Sequence, residues 1–134
     1  MRLGIIAEGK ADIAVIKAVL IALMGIDGSD VVQLRPSEQF VESDLNEMNF
    51  SIWNLVLKSC EDISLLQSFF DVLADDALLV VQIDTAERGE AGYDINEPLR
   101  TKDTDWKEYC DYLYKAVEYK ISNIVPERSE EHTL

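Results

Sequence analysis

The apolar residues of this chain fall into two kinds of run, and the two kinds alternate. Short, nearly continuous apolar runs occur at Leu3–Ala7, Val31–Leu34 and Ala77–Ile83. Runs of this length without polar alternation suit strands covered on both faces, the habit of parallel sheets. Between them the apolar positions recur at three- and four-residue steps. Ile13, Ile16, Val19, Leu20 and Leu23 predict a helix over Asp12–Met24, closed by Gly25. Trp53, Val56 and Leu57 predict a short helix over Ile52–Cys60. Leu65, Leu66, Phe69, Phe70 and Leu73 predict a stronger one over Ile63–Leu73, with Glu61 and Asp62 suited to its N-terminal end. Trp106, Tyr109, Leu113, Val117 and Ile121 predict a last helix over Asp105–Ile124, ended by Pro126. Two segments carry neither period. Ser37–Phe50 reads as a loop with one helical turn, and Thr85–Thr104 as an ordered loop beside the site or a partly mobile flap.

Strands alternating with helices, with no hairpin signal between runs, predict an α/β fold: a small Rossmann-like parallel sheet flanked by helices. Residues 1–125 form its single domain and residues 126–134 a charged tail. A fourth strand is expected after Ile124, and the tail does not supply one. The expectation is therefore a shortened chain, or a sheet completed by a second copy or another partner subunit.

Composition narrows the function. The chain has 134 residues, 48% of them apolar, enough for one real core. Twelve basic residues against 26 acidic ones leave a net charge of −14. Simple electrostatic attachment to a phosphate backbone is thereby excluded, and nucleic acid is accessible only through a bound divalent metal that inverts the local charge. Cys60 and Cys110 stand in no metal-ligand spacing and are expected to be buried or half-buried free thiols. His132, the lone histidine, lies in the polar tail, which argues against Ser-His-Asp and Cys-His mechanisms. The longest apolar stretch, Ile13–Ile26, is interrupted by Lys17 and too short to span a bilayer, and no signal peptide is visible. The expectation is a soluble cytoplasmic protein with no membrane partner.

The candidate chemistry sits where two apolar runs end in carboxylates: Leu3-Gly4-Ile5-Ile6-Ala7-Glu8-Gly9-Lys10-Ala11-Asp12 and Leu78-Leu79-Val80-Val81-Gln82-Ile83-Asp84-Thr85-Ala86-Glu87. Ligands of open α/β sheets collect at the carboxyl ends of the strands. If the first strand is central, Glu8 and Asp84 become neighbours able to hold Mg²⁺ or Mn²⁺, which favour carboxylate, water and phosphate oxygens. Gly9 admits a phosphate near a helix N-terminus, and Asp12, one turn past Glu8, is placed to orient a metal-bound water. Glu87 and Glu90 are further candidate ligands. Each has an ordinary reading beside it: Glu-Gly-Lys as a polar turn, Lys10 as a solvated side chain, Asp12 as a helix N-cap. Trp106 and Tyr109 read as core, Tyr112 and Tyr119 as facing a partner. The acidic runs at residues 42–47 and 127–131 read as solvated surface.

The two segments resemble the signature segments of the Toprim domain, the metal-binding catalytic module of topoisomerases, primases and OLD-type nucleases. They are most similar to the OLD-like Toprim group of bacterial and phage-defence proteins. The resemblance covers about residues 2–95. It implies that Glu8 is the first-motif glutamate, a metal ligand or general acid/base, and that Asp84 is the first aspartate of an Asp-x-Asp motif. Asp12 matches an acidic position four residues after the glutamate. The implied protein is a Mg²⁺- or Mn²⁺-dependent nuclease with Glu8 and Asp84 catalytic, Glu8, Asp12, Asp84 and Glu87 on the metal, and Gly9 and Lys10 toward phosphate. The second aspartate position holds Ala86. That departure implies the alternative, a catalytically degenerate Toprim-like binding or regulatory protein of a defence or toxin–antitoxin system.

Overall fold

The computed structural model describes residues 1–36, 52–71, 76–97 and 99–126. The expectations for Ser37–Phe50, Leu73, the acidic runs at 42–47 and 127–131, and His132 lie outside them. Three five-residue strands, β1 (Arg2–Ile6), β2 (Val31–Arg35) and β3 (Ala77–Val81), form one sheet in the order β2-β1-β3. Both pairings of β1 are parallel, with Leu3 opposite Val31 on one side and Leu78 on the other. The first strand of the chain is therefore the central one.

The α-helices among the described residues are α1 (Lys10–Met24), α2 (Ile52–Glu61), α3 (Ile63–Phe70) and α4 (Trp106–Ile124). Because successive side chains of a strand point to opposite faces, β1 feeds two cores. Ile5 and Ala7 pack with Ile13 of α1, and Ile16, Leu20, Val31 and Val80 lie against that cluster. Ile6 packs on the other face with Leu34, Val56, Cys60, Leu66 and Phe69, and Ile121 and Ile124 of α4 close over it. Gly4 is where α3 presses closest: a Cβ there would meet Leu34 Cδ1 at 2.7 Å and the Phe69 ring at 2.9 Å.

Most predicted elements stand, with informative shifts at their ends. Helix α1 begins two residues earlier than its pattern indicates, with extended Gly9 (φ −151°) at the N-cap position and no side-chain cap. Asp12 is therefore not the N-cap; it sits in the first turn, where its charge favours the helix dipole. Gly25 ends α1 in the left-handed conformation (φ 64°) that glycine adopts without a Cβ penalty. Asp62 caps α3 by accepting from Leu65 N at 3.0 Å, and Asp105 caps α4 by accepting from Lys107 N at 3.0 Å.

Four expected core positions are not core, one of them Leu78, exposed by 46% on the edge strand β3. Val19 and Leu23 of α1 are exposed, Leu23 by 80%, because α1 is the helix that covers that face of the sheet among the described residues and its Ile13–Ile16–Leu20 side lies against it. Trp106 is exposed because it opens α4 beyond the sheet, resting edge-on against buried Tyr109 at 5.6 Å. Cys60 is a buried free thiol, as expected, and Cys110 is free but exposed. Burial pushes the Cys60 thiol up to about 12. Among the described residues no helix is long and apolar enough to cross a membrane.

Candidate functional site

The parallel pairing of β1 with β3 brings the two carboxylate-bearing segments side by side at the carboxyl edge of the sheet. Gln82 N donates to Ile6 O at 2.8 Å and Ala7 N donates to Arg35 O at 2.9 Å, so the end of β1 is held from both sides. Glu8 follows directly. Its backbone N–H donates to Gln82 Oε1 at 3.1 Å, and its own carboxylate Oε2 accepts from Asp84 N at 3.0 Å. The two predicted residues are thus joined across 76 positions of sequence. Asp84 in turn uses its side chain locally: Oδ1 accepts from Ala86 N at 2.8 Å, closing a turn.

Charge accumulates here. Burial raises the Glu8 carboxyl above its ordinary value, and the negative charges of Asp84 and Asp12 push it the same way. Hydrogen bonds from Asp84 N–H and from the Gln82 side chain hold it partly down. Glu8 therefore senses both Asp84 and Asp12. Gly9 lies between Glu8 and α1, where a Cβ would come 3.5 Å from Asp12 Oδ2. Lys10 is the exposed first residue of α1. Glu87 and Glu90 are exposed in the turns after Asp84, where Glu90 N donates to Glu87 O at 2.9 Å. No group of three or more His, Cys, Asp or Glu side chains is gathered to hold a metal ion among the described residues. The donors present are all carboxylate oxygens, the chemistry a hard cation requires. The two central ones are engaged with backbone N–H groups instead.

The described part of the loop after Asp84 packs against α2 and α4. Tyr93 is fully buried under it, its ring 5.2 Å from that of Trp53, and its hydroxyl donates to Asp84 O at 3.1 Å. Burial, and then the charges of Glu8 and Asp84, push the Tyr93 phenol up to about 12, so it remains a donor at neutral pH. Arg88 ties the loop to α4: Nη1 donates to Thr85 O at 2.8 Å, Nη2 to Tyr109 Oη at 3.1 Å, and Nε pairs with Glu97. Its own carbonyl accepts from Ile95 N at 2.8 Å. The Glu97 pair raises the Arg88 guanidinium and lowers the Glu97 carboxyl.

Neither Arg88 nor Tyr93 stands out in the sequence as part of the site. Tyr93 and Ile95 were the available signal, two apolar residues at strand spacing inside a Gly-, Asp- and Glu-rich stretch. The Arg88–Glu97–Tyr109 linkage has no sequence pattern, because its members reach one another only when the loop folds back on α4.

Fold and site together define a small parallel α/β protein with clustered carboxylates at the carboxyl end of its central strand. No protein-family model, no curated protein and no solved structure matches the chain. The Toprim resemblance accordingly rests on the two short segments alone.

Proposed function

We propose that the carboxyl end of the sheet binds Mg²⁺ or Mn²⁺ and serves phosphoryl transfer, as a Toprim-like nuclease domain acting on the phosphodiesters of DNA or RNA. One observation carries this reading: Glu8 Oε2 accepts the Asp84 N–H at 3.0 Å, with the Asp12 charge close enough to raise Glu8 further. Clustered carboxylates that repel one another are stabilised by a cation, and a bound cation offsets phosphate charge and activates water. Glu8 and Asp84 would hold the ion, Asp12 would orient water, and Glu87 would complete the oxygen set. Gly9 and the N-terminus of α1, opened by Lys10, offer backbone N–H groups to a phosphate oxygen.

A second reading is favoured by a specific feature. Ala86 occupies the position of the second motif aspartate, and its N–H donates to the Asp84 carboxylate. In this reading the fold is a catalytically degenerate Toprim-like binding or regulatory protein.

Thermal unfolding in Mn²⁺ and Mg²⁺ distinguishes the two, run on wild type, Glu8→Gln and Asp84→Asn alongside cleavage of labelled DNA and RNA. Metal-dependent stabilisation and cleavage in wild type, both lost in Asp84→Asn, support the nuclease. Stabilisation without cleavage supports the binding protein, and a folded wild type indifferent to both metals rejects the metal site.

A further inference from the structure

Gln82 is the one polar side chain in the apolar run from Ala77 to Ile83. It follows β3 directly, and its backbone carries the ladder one step further, Gln82 N donating to Ile6 O at 2.8 Å. Its side chain therefore leaves the sheet from a fixed point, half-buried. Both ends of that side chain turn to a single residue. Oε1 accepts the Glu8 N–H at 3.1 Å, and the carboxamide also faces the Glu8 carboxylate, whose ionised form it favours. The carboxylate in turn reaches the Asp84 N–H at 3.0 Å. We infer that Gln82 is the positioning residue of the carboxyl edge: it fixes the main chain of Glu8 and aims the Glu8 carboxylate at Asp84.

The chemistry of the side chain explains why glutamine stands here. A carboxamide carries both an acceptor and donors, so one group can take an N–H and give another to a carboxylate. Glutamate at this position would supply acceptors only, and would add a like charge beside Glu8. An apolar side chain would suit the run from Ala77 to Ile83 but would leave the Glu8 N–H without this acceptor.

The aim of the carboxylate matters for what the edge can bind. Groups that orient a ligating side chain without touching the ion are worth about 10- to 100-fold in metal affinity. Toward an ion, the inference rests on the metal reading proposed above. The orientation of Glu8 is a property of the metal-free protein and stands apart from that reading.

The test is amide hydrogen exchange of the metal-free full chain by NMR, on wild type, Gln82→Met and Gln82→Glu. Mn²⁺ affinity is measured separately, from the electron paramagnetic resonance signal of the free ion. The Asp84 N–H bonds to Glu8 and not to Gln82, so a change at position 82 acts on it through the Glu8 carboxylate. Gln82→Met should speed exchange of the Glu8 and Asp84 N–H groups by roughly tenfold. The position-82 N–H, bonded to Ile6 O, should keep its wild-type rate. Gln82→Glu retains an acceptor for the Glu8 N–H, so it should quicken the Asp84 N–H and spare that of Glu8. In a Glu8→Ala background, where the Asp84 N–H has already lost its acceptor, Gln82→Met should leave the Asp84 rate unchanged. Gln82→Met should also bind Mn²⁺ about 10- to 100-fold more weakly than wild type.

An Asp84 rate that Gln82→Met does not move overturns the inference, as does Gln82→Glu with both rates at wild type. Equal quickening of the position-82 N–H also overturns it, since that marks a frayed strand end rather than a misaimed carboxylate. So does Mn²⁺ binding of equal strength in wild type and Gln82→Met. A wild type that binds no Mn²⁺ rejects the metal site instead, and the exchange rates then decide the inference by themselves.

Discussion

Replacing Glu8 by glutamine should make the metal-free protein more stable at neutral pH. Burial and the neighbouring charges of Asp84 and Asp12 raise the Glu8 carboxyl above its unfolded value. The folded state therefore holds the proton more tightly than the unfolded chain. The stability this contributes is fully present below the unfolded pKa and is lost as the pH rises through the folded one. At neutral pH Glu8 is ionised, beside two like charges, in a half-buried position. Glutamine removes the charge and keeps an oxygen for the Asp84 N–H that Glu8 now accepts at 3.0 Å. After solvent screening the gain is about 0.5–1 kcal/mol, or roughly 2–4 °C in Tm for a domain of this size. The assay is thermal unfolding of both proteins at neutral and acid pH, in chelator and in excess Mn²⁺. In chelator the variant should melt higher at neutral pH, with the difference closing toward acid. In Mn²⁺ the order should reverse, because an ion bound only to the folded wild type adds about 2.7 kcal/mol at a hundredfold over its dissociation constant. A variant less stable than wild type in chelator at neutral pH, or a difference equal at both pH values, would refute the electrostatic reasoning. A rise in chelator without reversal in Mn²⁺ would keep the electrostatics and reject the ion.

Three further substitutions probe how the site is supported. Gly4→Ala puts a methyl group 2.7 Å from Leu34 Cδ1 and 2.9 Å from the Phe69 ring. It should cost about 1–3 kcal/mol in urea unfolding as overpacking, with Phe69→Leu recovering part of the loss in a double-mutant cycle. Tyr93→Phe removes the hydroxyl that donates to Asp84 O and leaves that carbonyl unpaired. A loss of about 1–3 kcal/mol is expected, with faster hydrogen exchange in residues 84–97; unchanged exchange would show that the loop does not depend on this bond. Arg88→Met removes hydrogen bonds to Thr85 O and Tyr109 Oη. It should cost about 1–2 kcal/mol for those two bonds, and Arg88→Lys should recover less than half, since one ammonium cannot reach all the acceptors of the guanidinium fork. The loss attached to the Glu97 pair should shrink as the pH falls through the lowered Glu97 pKa, because protonation dissolves the pair in wild type too.

The sequence by itself determined the elements and their class. The continuous run Leu3–Ala7 takes apolar contacts on both faces, as a central strand does, whereas the edge run Ala77–Ile83 leaves Leu78 exposed. The three- and four-residue recurrence of Trp53, Val56 and Leu57 leaves a single buried stripe. The neighbourhood of Glu8 and Asp84 was legible too, because carboxylates that follow two adjacent parallel strands share one edge of the sheet. Tertiary structure decided the rest, through groups distant in sequence. Only the packed sheet shows that α1 lies against it along Ile13, Ile16 and Leu20, so that Val19 and Leu23, identical in pattern to Leu20, stay outside. The cap of α1 fell to Gly9 rather than Asp12 because the path of the chain out of β1, and not side-chain propensity, sets where that helix starts. Arg88 and Tyr93 acquire their places under and beside Asp84 only when the loop closes on Trp53 and Tyr109. Their partners lie 3 to 21 residues away along the chain for Arg88, and no local period records contacts made by a loop folding back on a helix.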